Sequence, residues 1–135
     1  MKKDKNYIEA DNDDEIYKEN IIDHYKNPHN FGELKSPTHK HKEHNPLCGD
    51  NIEVFIKVNK NKIEDVKFIG KGCAISIASM SMLSDMIKGK NIKDIEKLTK
   101  DDMMKMLGIN VGIGRIKCAL LSLKTVSKAL EKNQC

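Results

Sequence analysis

The stretch NIEVFIKVNKNKIEDVKFIG, residues 51–70, constrains the fold more than any other part of the chain. In its first nine residues Ile52, Val54, Ile56 and Val58 fall on one side, and Glu53, Phe55 and Lys57 on the other. Alternation with period two marks a half-buried strand. NKNK follows, and asparagine tolerates the positive φ that a tight turn requires. The run IEDVKFIGKG reads as the returning strand, with Val66 and Phe68 on one face. A lone hairpin is marginal in water, so its apolar face needs helices to cover it.

The chain downstream supplies them. CAISIASMSMLSDMIKG, from Cys73, is too long for a strand and predicts a buried helix that stops near Gly89. NIKDIEKL and TKDDMMKMLG predict two short helices, capped by Asn91 and Thr99. NVGIGRIK reads as a glycine-loosened loop. CALLSLKTVSKALEK reads as the closing helix, with Ala119, Leu123, Val126 and Leu130 on one stripe. The methionines between positions 80 and 106 read as soft core filling.

Upstream, residues 1–12 are polar and aperiodic and are expected to form a disordered tail, with residues 13–135 as a single domain. A first helix, capped by Asp13 or Asp14, carries Tyr17, Ile21 and Tyr25 at i, i+4 and i+8 and ends before Pro28. His24 is placed on its polar boundary. THKHKEH reads as an edge strand with solvated histidines, His44 facing opposite to His39 and His41. The fold class expected is α+β: a small antiparallel sheet of about three strands with helices packed on one face.

Composition excludes some functions. Net charge is +4, yet Arg115 is the only arginine and aromatic residues make up 4% of the chain. Readers of nucleic acid combine arginine forks or stacking aromatics with clustered charge, so no nucleic-acid partner is expected. No apolar run reaches the roughly 18 residues of a membrane span, and the first fifteen residues contain no signal-peptide core. The expectation is a cytoplasmic protein without a membrane partner. Its four cysteines, Cys48, Cys73, Cys118 and Cys135, then sit where thiols more often bind metal or react than pair. Taken singly, each thiol reads as a small buried hydrophobe. Cys135, at the chain end, reads as an exposed thiol.

Three thiols stand at loop ends. Cys48 lies in the turn NPLCGD, Cys73 follows GKG at a helix start, and Cys118 follows GIGRIK at the predicted start of the last helix. At the two predicted helix starts, those of Cys73 and Cys118, unpaired N–H groups and the positive dipole end favour thiolate. Gly49, Gly70, Gly72, Gly112 and Gly114 flank the three cysteines and permit close backbone approach. Cys48 and Asp50, at i and i+2, face one side of an extended segment. Three thiolates and a carboxylate would close a tetrahedral shell around zinc or iron. With a divalent ion their charge sums to about −2, which Arg115 and Lys117 are placed to offset. A unit charge near 4 Å contributes about 4 kcal/mol at an effective dielectric of 20. The spacing between the thiols, without any C-x-x-C, leaves a metal site and isolated cysteines both open.

Together DHYKNPHNFG, NPLCGD, IEDVKFIGKGCAISIASMSM, IKGK and RIKCALLSLKTV resemble the IscU/SufU/NifU-N-terminal family of iron–sulfur cluster assembly scaffolds, over residues 20 to 130. The resemblance implies a SufE/NifU-like α+β fold and a rim site with Cys48, Asp50, Cys73 and Cys118 as metal ligands. It implies a scaffold that accepts persulfide sulfur from a SufS/IscS-like cysteine desulfurase, with Cys48 and Cys118 as candidate acceptors. Such a scaffold binds iron, assembles a labile [2Fe–2S] cluster and transfers it to apoproteins or carriers. Asp50 then has a physical role: a hard carboxylate among thiolates holds a cluster less firmly than a fourth thiolate.

The subtype is mixed. Lys117 stands where IscU-like members usually carry histidine, and VGIGRIK replaces their proline-containing chaperone-docking segment. Lys117, Arg115 and KCALL look SufU-like, which implies the alternative of a zinc-dependent sulfurtransferase using the same ligands. The extra segment usual in SufU-type members between the second and third cysteines is missing. A structural zinc domain that only mediates contacts is the third reading; its site would be closed and inert.

Overall fold

A computed structural model describes residues 18–46, 49–108 and 113–131, without the side chains of residues 113–115. The expected tail, the caps at Asp13 and Asp14, and Tyr17, Cys48 and Cys135 lie outside the described residues. The strands are β1 (His39–His44), β2 (Asn51–Asn59) and β3 (Lys62–Lys71). They form one antiparallel sheet in the order β1-β2-β3. The helices are α1 (18–26), α2 (Ala74–Ile87), α3 (Ile92–Glu96), α4 (Lys100–Leu107) and α5 (Ile113–Glu131).

The hairpin forms where the alternation places it. Val54 pairs with Phe68 and Ile56 with Val66, and all four are fully buried with Ile52. Lys60 and Asn61 both take positive φ, 55° and 65°, in the two-residue turn between Asn59 and Lys62. That is the geometry whose twist matches paired strands. A register shift between Lys57 and Val58 leaves Val58 only half-buried. Phe55, expected on the polar side, is buried as well.

Helix α2 is buried almost all round, including Ser76, Ser79, Ser81 and Ser84. Such a helix belongs inside a fold rather than on its surface. It packs against α5, α4 and β3, while α5 also covers β1 and β2. No helix among the described residues is long and apolar enough to cross a membrane.

Four expectations need correction. α5 starts at Ile113, inside the stretch read as a loop. Gly114 costs a helix only about 1 kcal/mol, while Ile116 packs onto the cluster of Ile21, Ile75 and Ala119. Cys118 is therefore the sixth residue of its helix, beyond the reach of the terminal dipole. On α1, Tyr25 is 45% exposed and Ile21 and His24 form the buried face, so His24 is no boundary residue. On β1, His39 and His41 pair with the core residues Ile56 and Val54 and are half-buried; only His44 is exposed. Asn91 occupies the N-cap of α3 without a side-chain capping bond, whereas Thr99 and Asp102 make a full capping box on α4.

Candidate metal centre

The sheet register builds the site. Asn51, the first residue of β2, pairs with Lys71, the last of β3, and with His44, the last of β1. Asp50 and Gly72 therefore meet just past that rung. A Cβ at Gly72 would lie 2.9 Å from Asp50 Cγ and 3.1 Å from its Oδ1, so glycine is what lets the carboxylate lie there. Two backbone bonds close the chain between β1 and β2: Asn45 N–H donates to the Asp50 carbonyl and Gly49 N–H to the Asn45 carbonyl, each at 2.8 Å. Gly49 has φ +79°, a left-handed conformation that favours glycine.

Cys73 follows Gly72 as the N-cap of α2, half-buried and without a side-chain capping bond. Its carbonyl accepts from Ile77 N–H at 3.2 Å. Cys118 comes in from α5 and is buried to 5% exposure. A donor atom from each of Asp50, Cys73 and Cys118 lies within 4.8 Å of the others. Around a tetrahedral ion with bonds of 2.0–2.3 Å, donors stand roughly 3.3–3.8 Å apart. The gap is about one ångström of side-chain motion, and two sulfurs with one carboxylate suit zinc or iron. The set fits a metal, with the fourth position left to another donor.

One residue that sequence reasoning did not single out touches all three ligands. Ser76, fully buried in the first turn of α2, donates from Oγ to Asp50 Oδ2 at 2.6 Å. The same oxygen is 3.6 Å from Cys73 Sγ and 3.5 Å from the Cys118 carbonyl oxygen. The i, i+3 spacing from Cys73 was the available signal, since it puts both residues on one helix face.

The other expected residues are placed less closely. Lys117 is exposed and lines a groove of about 790 Å3 floored by Leu120, Leu121 and Leu123. The side chain of Arg115 lies outside the description. His41 Nε2 and Lys124 Nζ flank Glu43 at 2.7 and 3.3 Å, between β1 and α5. The His41 hydrogen bond, helped by Lys124, holds the Glu43 carboxyl below its ordinary range.

A three-stranded antiparallel sheet covered by helices, with a carboxylate and two cysteine sulfurs gathered beyond its strand ends, defines the class: a small α+β domain with a candidate metal centre. The chain belongs to the family described as NifU-like N terminal domain, whose model matches residues 16–134. It is 38% identical to the zinc-dependent sulfurtransferase SufU of Bacillus subtilis, over 90% of this chain and 93% of that protein. It is 39% identical to the iron-sulfur cluster assembly scaffold protein IscU of Aquifex aeolicus, over 85% of this chain and 74% of the relative. Among solved structures, a protein from Fervidobacterium islandicum described as an iron-sulfur cluster assembly scaffold for the SUF system superposes with a TM-score of 0.74 at 29% identity, covering 83% of this chain and 94% of that one. The N-terminal part of a NifU-like protein from Brucella abortus shares the fold, with a TM-score of 0.73 at 21% identity over 87% of this chain and 94% of that one.

Proposed function

We propose that the chain is a cytoplasmic iron–sulfur cluster assembly scaffold. It takes persulfide sulfur from a cysteine desulfurase, takes up iron, builds a labile [2Fe–2S] cluster and hands it to recipient apoproteins. The observation that carries this reading is the convergence of Asp50, Cys73 and Cys118 within 4.8 Å. Cys48 completes the ligand set, and Arg115 and Lys117 offset its negative charge.

In the sulfur step a cysteine thiolate attacks the outer sulfur of the desulfurase persulfide. The bond between that sulfur and the desulfurase cysteine breaks, and the desulfurase cysteine leaves as thiolate. Reduction of the new persulfide by an added dithiol, a two-electron step, releases hydrosulfide and restores the thiolate. Cys48 and Cys118 are the candidate acceptors. Cys118 is too enclosed to attack as it stands, so it accepts sulfur only after the packing around it yields.

A second reading has its own support. The relative that bears the name zinc-dependent sulfurtransferase matches nearly end to end, and Lys117 occupies the position where IscU-like members carry histidine. In that reading zinc occupies the same ligands, and the protein ferries sulfur without building clusters.

Anaerobic incubation with ferrous iron, cysteine, a dithiol and a cysteine desulfurase separates the two. The scaffold reading expects visible absorption of a [2Fe–2S] chromophore that is lost when apoprotein is added. Protein that stays colourless, retains one zinc and accelerates desulfurase turnover would replace it with the sulfurtransferase.

A further inference from the structure

We propose that Cys73 is the resolving thiol of the centre. In the metal-free protein its thiolate displaces the outer sulfur of a Cys118 persulfide, releasing hydrosulfide inside the site and leaving a Cys73–Cys118 disulfide. The inference rests on reading the chain as a sulfur acceptor and deepens it, by giving Cys73 a chemical step beyond ligation.

The placement of the two sulfurs carries it. Cys118 is 5% exposed and packs with Ile75, Ala78, Leu107 and Ala119. Cys73, at the N-cap of α2, is half-buried and packs against the same cluster. The two Sγ atoms lie within 4.8 Å of each other. Rotation about χ1 moves a cysteine sulfur by about 3 Å, which brings such a pair to bonding distance. A thiol fixed at that range reacts as a partner of very high effective concentration. A dissolved dithiol has no such advantage and meets Cys73 before Cys118.

The step balances without an outside reductant. The Cys73 thiolate supplies an electron pair to Cys118 Sγ, the inner sulfur of the protonated persulfide. The bond between the two persulfide sulfurs breaks, and its electron pair leaves with the outer sulfur and its proton as hydrosulfide. Cys73 is oxidised and the outer sulfur reduced. A dithiol then attacks the more accessible Cys73 sulfur of the disulfide, Cys118 leaves as thiolate, and the second dithiol sulfur releases Cys73. Hydrosulfide thus appears beside Asp50, and the centre regains both thiolates only when the dithiol has acted.

The test uses the full chain in chelator under anaerobic conditions, with a cysteine desulfurase and one equivalent of cysteine, and no dithiol. Mass spectrometry of the alkylated chain and its peptides reads the state of every cysteine. Wild type is expected to become lighter by two hydrogens, with Cys73 joined to Cys118, and to release one hydrosulfide per disulfide. Cys73→Ser and Cys73→Ala should instead gain one sulfur at Cys118 and keep it. Their hydrosulfide release should be at least about a hundredfold slower, well inside the range for positioned intramolecular partners. The wild-type cross-link is read without either variant, so it serves if both fail to fold.

A wild-type chain that holds a persulfide on Cys118 beside an alkylated Cys73 overturns the proposal. So does a persulfide confined to Cys48, a sulfur passed on to Cys73, a cross-link from Cys118 to Cys48, or a disulfide that forms equally without cysteine. Each of the first four leaves sulfur acceptance standing. Chains that show neither added sulfur nor a disulfide overturn sulfur acceptance itself, and the step with it.

Discussion

Two glycines two positions apart perform different tasks. At Gly70 an added Cβ would run into the Asn51 carbonyl oxygen and lie 3.1 Å from Ile52 Cα. Both are backbone atoms of the paired strand and cannot step aside. Gly70→Ala is expected to destabilise the protein by about 2 kcal/mol, as overpacking does, and to lower its urea midpoint. At Gly72 the obstacle is the Asp50 side chain, which can turn away. Gly72→Ala should keep the fold and its urea midpoint but lose zinc affinity about tenfold or more in a chelator competition. A Gly72→Ala protein that binds zinc as wild type does would show that Asp50 need not lie against β3. The sequence placed glycines beside the thiols, but it did not separate these tasks. That distinction depends on which residue of β2 stands opposite, and register is a long-range property.

Among the elements, legibility followed the strength of the local signal. The run 51–59 is a strand over its whole length because its alternation has no competitor. The start of α5 was misread because two glycines argued for a loop, while the packing that overrides them comes from α1 and α2, distant in sequence. The displacement matters chemically: Cys73 keeps its place at a helix start, whereas Cys118 is an interior residue held by burial. Caps divide in the same way. Thr99 accepts from Asp102 N–H, and Asp102 Oδ2 accepts from Thr99 N–H at 2.8 Å. Asn91 has the backbone shape of a cap without the bond. Thr99→Ala is expected to cost about 1 kcal/mol and Asn91→Ala close to nothing, read from paired urea titrations. Equal losses would mean that α4 does not depend on its box.

At the scale of the molecule, a polar seam ties the segment around α1 to α2 across more than fifty residues of sequence. His24 Nδ1 and His29 N–H meet Ser81 Oγ at 2.7 and 2.8 Å, and His29 Nδ1 and Asn30 Nδ2 meet Asp85 at 2.6 and 2.9 Å. None of this was legible, because a serine inside an apolar helix reads as a small core residue until its partner is known. The seam makes stability depend on pH. Burial, then the neighbouring His29, push the His24 pKa below the ordinary 6.5; Asp85 and Asp23 pull upward and lose. Burial also lowers His39. The unfolded chain thus takes up protons near pH 6.5 that the folded chain resists, so this stability is full above 6.5 and drains as pH falls toward the folded values. Glu43, held below its ordinary 4.5 first by its bond to His41, adds a loss of the same sign below pH 4.5. In metal-free protein kept in chelator, the thermal midpoint should fall from pH 7.5 to 5.5 and fall again below 4.5. His24→Gln keeps a polar partner for Ser81 but cannot titrate, so its midpoint should fall less over the first interval and equally over the second. An equal fall in both proteins between pH 7.5 and 5.5 would remove His24 as the group that senses acid and leave His39 to account for the slope.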